Sequence, residues 1–169
     1  IGAFGPVQAI ATGASCSFGD LSVSPSGAVV QVCGPQSAQT GGNIVINVDS
    51  DGLGAGGFGA AIIPAITLVG GFDFIPAQNN RPIDSEPGLV FIQESSDTNI
   101  MLRYSDDTGA TWSAPLQVNT DATTRSQFLP KIASDPATGN VAICWHDARN
   151  SASNTAMEEW CDTFTPATF

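Results

Sequence analysis

Basic residues are scarce in this chain: Lys and Arg number 5 against 16 Asp and Glu in 169 residues, a formal net charge of −11. That excludes nucleic acid as a partner, because such binding rests on Lys and Arg displacing counterions from phosphates. An anionic membrane surface is disfavoured on the same ground. Long apolar runs are missing too, and nothing approaches the ~20 residues of a membrane-spanning helix. The first residues, IGAFGPVQAI, carry neither a starting Met nor a basic signal-peptide head, which reads as a processed or excerpted chain. Histidine is limited to His146 and no CxxC pair occurs, so a zinc site is a poor explanation of the cysteines. No window longer than about ten residues shows a 3.6-residue apolar period, which leaves helix little room.

Apolar side chains are present in quantity, at 42% of the chain, enough to bury a core and argue against disorder. The four cysteines, Cys16, Cys33, Cys144 and Cys161, are even in number and widely spaced. With the acidic composition, this favours a secreted or cell-surface protein carrying up to two disulfides, four inert thiols being the alternative. Connectivity does not follow from sequence, but proximity makes Cys16 with Cys33 and Cys144 with Cys161 the first choice.

Eighteen glycines and eleven prolines punctuate short Val-, Ile- and Leu-rich stretches, the pattern of an all-β chain. Strands are expected over 19–24, 28–33, 44–48, 65–69, 88–92, 100–105, 117–118, 131–134 and 141–145. Residues 155–161 read as one helical turn or a last strand. DLSVSPSGAVVQVC and KIASDPATGNVAICW resemble one another, each an apolar strand, a Pro- and Gly-containing turn and a second apolar strand ending near a cysteine. Both read as hairpins whose turns need a positive φ at Gly27 and Gly139. Their separation leaves room for several sheets of the roughly 40 to 50 residues that make a propeller blade.

The most specific string is YSDDTGATWSAPLQVN, with Ser105, Asp107, Gly109, Thr111 and Trp112 in an S-x-D-x-G-x-T-W pattern. Physically this is a hairpin lock: Asp107 accepts from turn amides, Gly109 permits a left-handed conformation, Thr111 bonds across the turn and Trp112 packs beside it. The pattern is the Asp box, or BNR repeat, and the chain resembles the sialidase-like β-propeller superfamily. SQFLPKIASDPATGNVAICWHDARN, with its W-x-D-x-R ending at Trp145, Asp147 and Arg149, and GGFDFIPAQNNRPIDSEPGLVF are similar to secreted bacterial members of that group. The resemblance implies four-stranded antiparallel sheets as propeller blades. Such rings have roughly four to eight blades, and residues 1–169 supply strands for about two to four. A single all-β region forming part of a larger propeller, or of an assembly of copies, is therefore expected.

Sialidases hold a sugar carboxylate with three arginines, because guanidinium groups grip carboxylates bidentately, and use a tyrosine nucleophile with an aspartate acid/base. By position the resemblance implies Arg81 and Asp97 as catalytic candidates, with Arg81, Arg103, Arg125 and Arg149 as substrate-binding candidates. Proline follows Arg81 where the family has R-I-P, and Tyr104, the one tyrosine, precedes the Asp box rather than falling late in the chain. Structural roles compete: Arg103 on a strand face, Arg125 in a loop, Arg149 paired with Asp147 or Asp135. His146 beside Trp145 and Asp147 reads as structural or rim-exposed. In NVDSDGLGAGG, Asp49 and Asp51 offer hard carboxylate oxygens around a tight turn, a candidate calcium site that competes with an ordinary Asp-Gly turn.

Two functions are expected from these residues. One is a secreted propeller module without complete catalytic machinery, binding glycans or glycoconjugates, adhering, or assembling with itself through sheet edges that carry few lysines. The other is an exo-sialidase-like glycoside hydrolase acting on terminal sugars.

Overall fold

The Val- and Ile-rich stretches between turn residues fold as strands, and no helix occurs among the described residues. The computed structural model describes residues 10, 18–23, 27–34, 42–43, 45–52, 56–63, 67–68, 77–80, 87–94, 99–105, 107, 111–135 and 137–165. The strands are β1 (Phe18–Val23), β2 (Val29–Gly34), β3 (Gly42–Asn43), β4 (Val45–Asp49), β5 (Thr67–Leu68) and β6 (Ala77–Asn80). They continue with β7 (Pro87–Glu94), β8 (Ile100–Ser105), β9 (Leu116–Gln117), β10 (Gln127–Ser134), β11 (Val141–Asp147) and β12 (Glu158–Phe164). Every pairing is antiparallel.

Four sheets result, in the orders β1-β2-β4, β3-β5, β6-β7-β8-β9 and β10-β11-β12. The expectation of four-stranded sheets is therefore corrected: among the described residues one sheet has four strands, two have three and one has two. Residues 155–161 resolve in favour of a strand, since β12 covers Glu158–Phe164. After β4 the chain returns along it, with an Ile46–Ile62 bridge and the Gly59 amide donating to Val48 O at 2.8 Å.

Alternation sets the core. Along β11, Val141, Ile143, Trp145 and Asp147 are buried, while Ala142, Cys144 and His146 turn to the other face. The buried face packs against Ile100 and Leu102 of β8 and Val118, with Tyr104, Ile132, Trp160 and Phe164 closing the periphery. Each fully buried aliphatic chain there contributes about 1.5–3 kcal/mol relative to exposure. Thus the third and fourth sheets share one core. A second buried group, Val30, Val32, Cys33, Val45 and Ile46, lies in the first sheet.

Turn chemistry is specific. Gly27 and Gly139 have φ of 92° and 77°, the left-handed region that glycine enters without a Cβ penalty. The β10–β11 turn is closed by the Asp135 and Asn140 backbones at 2.8 Å and pinned by Asp135, which accepts from the Ala137 amide at 2.9 Å and the Thr138 hydroxyl at 2.7 Å. Within β10 the register shifts between Phe128 and Lys131, where Leu129 takes φ 52° ahead of Pro130. Proline lacks a ladder donor, so an edge strand with a bulge is where it fits.

Cys144 and Cys161 face one another on β11 and β12 and form a disulfide, as proximity suggested. The bridge closes a 17-residue separation, and a loop of that size removes about 3 kcal/mol of freedom from the unfolded chain. Cys33 is disulfide-bonded as well. Its expected partner, Cys16, lies outside the described residues. Disulfides fit an oxidising, extracellular setting. Among the described residues no helix is long and apolar enough to cross a membrane.

Candidate functional site

Strand β8 ends at Ser105, buried at 1% exposure, where the S-x-D-x-G-x-T-W string begins. The Ser105 hydroxyl donates to Asp107 Oδ1 at 2.8 Å. The Thr111 amide donates to the same oxygen at 2.7 Å, and the Thr111 hydroxyl donates to Asp107 Oδ2 at 2.6 Å. One carboxylate thus holds both ends of the turn. Behind it, the Ser113 amide donates to Tyr104 O at 2.9 Å and the Tyr104 amide to Ser113 Oγ at 3.1 Å. Trp112 is half-buried, and Gly109 lies outside the described residues.

The W-x-D-x-R segment builds a second polar centre where β11 ends. Asp147 is buried, and its Oδ2 accepts from Trp145 Nε1 at 2.8 Å and an Arg149 guanidinium nitrogen at 2.5 Å. Its Oδ1 accepts the Arg149 amide at 2.8 Å. Asp121 approaches the same guanidinium at 3.5 Å and is itself held by Asn119, by the Thr123 hydroxyl and by Gln127, which also reaches Asp147. The Arg149 guanidinium lies over the Trp160 ring, Cζ 3.8 Å from its centroid. Burial opposes ionisation of both aspartates, but it is outweighed. Hydrogen bonds from Arg149, Trp145 and Gln127 lower the Asp147 pKa, and bonds from Thr123 and Asn119 with the Arg149 charge lower that of Asp121. Arg149 is pushed up, chiefly by its bond to Asp147.

The three described arginines have different environments. Arg149 is neutralised by two carboxylates. Arg103 donates from Nη1 to Ser113 O at 3.0 Å; its Nε is buried without a partner among the described residues, and burial lowers its pKa. Arg125 is half-buried in the loop before β10, its amide donating to the Thr123 hydroxyl at 3.2 Å. No carboxylate or hydrogen-bond acceptor is shared between any two of them. Arg81 and Asp97 lie outside the described residues. Tyr104 is tied by its backbone to Ser113. His146 is half-buried with its ring 5.6 Å from Phe128, on the face opposite Trp145.

No protein-family model matches the chain, and no curated protein matches it.

At the end of β4, Asp49 is buried at 3% exposure and Asp51 follows in the turn, its Oδ2 accepting the Gly56 amide at 2.9 Å. Asp49 is pushed up by burial and then by the hydrogen bond and charge of Asp51. No group of three or more His, Cys, Asp or Glu side chains with metal-holding geometry occurs among the described residues. Sequence reasoning missed Asp121, Asn119, Gln127 and Trp160 as members of the Arg149 centre. Asp121-x-Thr123 carries the signature of an Asp turn. Nothing in the spacing of Trp160 foretold its position over Arg149.

Proposed function

We propose that the chain is an extracellular module of the sialidase-like, BNR-repeat propeller type that binds glycans without carrying out their hydrolysis. The observation that carries this reading is the state of Arg149: with Asp147 and Asp121 on its guanidinium and Trp160 beneath it, it braces the end of β11 instead of awaiting a substrate carboxylate. The Asp107 lock is the geometry an Asp box is built to make, and it supports the family reading without contributing chemistry to a central site. Face-to-face packing of the third and fourth sheets around Leu102 and Ile143 is in keeping with neighbouring blades. Adhesion or self-assembly through sheet edges is the same reading with a protein partner in place of the sugar.

Arg103 favours the second reading, an exo-sialidase-like hydrolase, because among the described residues its half-buried guanidinium has a single carbonyl partner and no carboxylate. Two measurements separate the readings. Glycan-array binding with no release of fluorophore from a generic sialoside supports the module. Turnover of that sialoside, lost in Arg81→Ala and Arg103→Ala, replaces it with the enzyme.

A further inference from the structure

We propose that the turn after β4 binds a divalent cation of the hard, oxygen-seeking class, Ca²⁺ in particular, through the carboxylates of Asp49 and Asp51. Asp49 is 97% buried by side-chain and backbone packing, being 3% exposed, and its Oδ1 has no hydrogen-bond partner among the described residues. A buried carboxylate oxygen without a donor is an unfavourable arrangement that a folded chain keeps only when something compensates it. What faces it makes the need greater: the Asp51 carboxyl lies within hydrogen-bonding and charge range of Asp49, and the backbone amides of Asp51 and Gly52 that donate to the Asp49 carboxyl do not offset this and its burial. Two carboxylates turned toward each other repel unless a proton or a cation sits between them.

The surrounding backbone suits the cation. Gly52 takes φ 64°, which folds the turn tightly enough to bring Asp51 back toward Asp49, and the Gly56 amide fixes Asp51 through Oδ2 at 2.9 Å. Asn47, fully buried and two residues before Asp49 on the same face of β4, places an amide side chain next along the strand, with its Nδ2 directed to Gly59 O at 3.4 Å. Ca²⁺ takes about six to eight oxygens in flexible geometry and accepts amide, peptide and water oxygens beside carboxylates, so the two aspartates would supply the charged part of its shell and peptide and water oxygens the rest. Mg²⁺ fits less well, since it demands near-octahedral geometry and gives up water reluctantly. Zinc is disfavoured by the all-oxygen donors.

The test is calorimetric titration and thermal melting of the metal-stripped protein with CaCl₂. Wild type is expected to bind Ca²⁺ and to melt at a higher temperature with it than with chelator. Asp49→Asn and Asp51→Asn are each expected to weaken Ca²⁺ binding by more than about tenfold. Asp135→Asn, which alters a different Asp turn, should keep the wild-type response. Should Asp49→Asn fail to fold, the exposed Asp51→Asn decides the matter. Absence of binding and of any melting shift in wild type overturns the proposal, as does wild-type binding by the two turn variants. Stabilisation on acidification in place of Ca²⁺ would assign the pair to a shared proton and overturn it equally.

Discussion

Arg149 lies over the indole of Trp160, its Cζ 3.8 Å from the ring centroid, although the two residues come from opposite sides of the loop joining β11 to β12. Trp160 is the cross-strand partner of Trp145, whose own indole nitrogen donates to the Asp147 carboxylate that Arg149 pairs with. Register, stacking and ion pairing therefore close one loop of interactions across two strands. Asp121 brings the loop before β10 into the same centre, and Asn119 carries it on to β8 by accepting the Ile100 amide at 2.9 Å. The centre thus ties the fourth sheet to the third.

Removing one partner from this buried pair should be costly. Asp147→Ala leaves the Trp145 N–H without its acceptor and the Arg149 charge with Asp121 alone, so the cost should fall at or below the lower end of the about 3–5 kcal/mol of a broken buried pair. Arg149→Lys keeps the charge but loses the planar fork and most of the stacking, for about 1–2 kcal/mol. Urea unfolding of both variants checks the order. Equal midpoints for Arg149→Lys and wild type would mean that stacking on Trp160 contributes nothing.

Acid should unfold the protein through the same carboxylates. Asp147 and Asp121 have pKa values below their ordinary 3.8, so the folded state holds them ionised where the unfolded chain would take up protons. Their contribution is fully present above pH ~4 and is lost as pH falls through the lowered folded values. The melting temperature of wild type should therefore drop steeply below about pH 4. In Asp121→Asn the drop should be shallower from a lower starting point. Parallel curves for the two proteins would exclude Asp121 from the acid response.

The Asp107 lock should be worth a modest amount because it is exposed. Asp107→Ala removes acceptors for the Ser105 hydroxyl and for the amide and hydroxyl of Thr111, an expected loss of about 1–3 kcal/mol. Asp107→Asn keeps one carbonyl acceptor and should lose less. Thr111→Val tests the hydroxyl alone. Denaturant midpoints ranking wild type, Thr111→Val, Asp107→Ala in falling order would assign the lock its stated role, and an unchanged Asp107→Ala would remove it.

Much of this architecture was legible where side chains alternate. IMLRYS gave the bounds of β8 and VAICW most of β11, since buried Ile100, Leu102, Val141, Ile143 and Trp145 repeat at period two. β12 was harder because EEWCDTF is an edge strand, mostly exposed, whose core-packing Trp160 and Phe164 are interrupted on their own face by Asp162. β6 was missed outright, AQNN having no strand propensity to offer. The first turns of β10 were hidden by Leu129 and Pro130, whose bulge breaks the alternation that Lys131 resumes. The Asp107 bonds to Ser105 and Thr111 followed from residue type and spacing. The Arg149 centre did not, because Asp121, Asp147 and Trp160 meet only once three strands and two loops are in place.

Two glycines should differ sharply in what an added methyl costs. Gly27 and Gly52 both have positive φ, 92° and 64°, so alanine at either position carries the left-handed penalty of about 1–2 kcal/mol. Around Gly27 a Cβ meets open space within 4 Å, so Gly27→Ala should lose little beyond that penalty. At Gly52 the new Cβ would stand 2.2 Å from Gly27 O, a backbone atom that cannot swing aside as a side chain would. One of the two turns must then move, and overpacking of this kind adds about 1–3 kcal/mol. Gly52→Ala should therefore unfold at clearly lower denaturant than Gly27→Ala, and the double variant should lose no less than Gly52→Ala alone. Equal midpoints for the two single variants would mean that the β1–β2 turn and the β4 turn do not bear on each other.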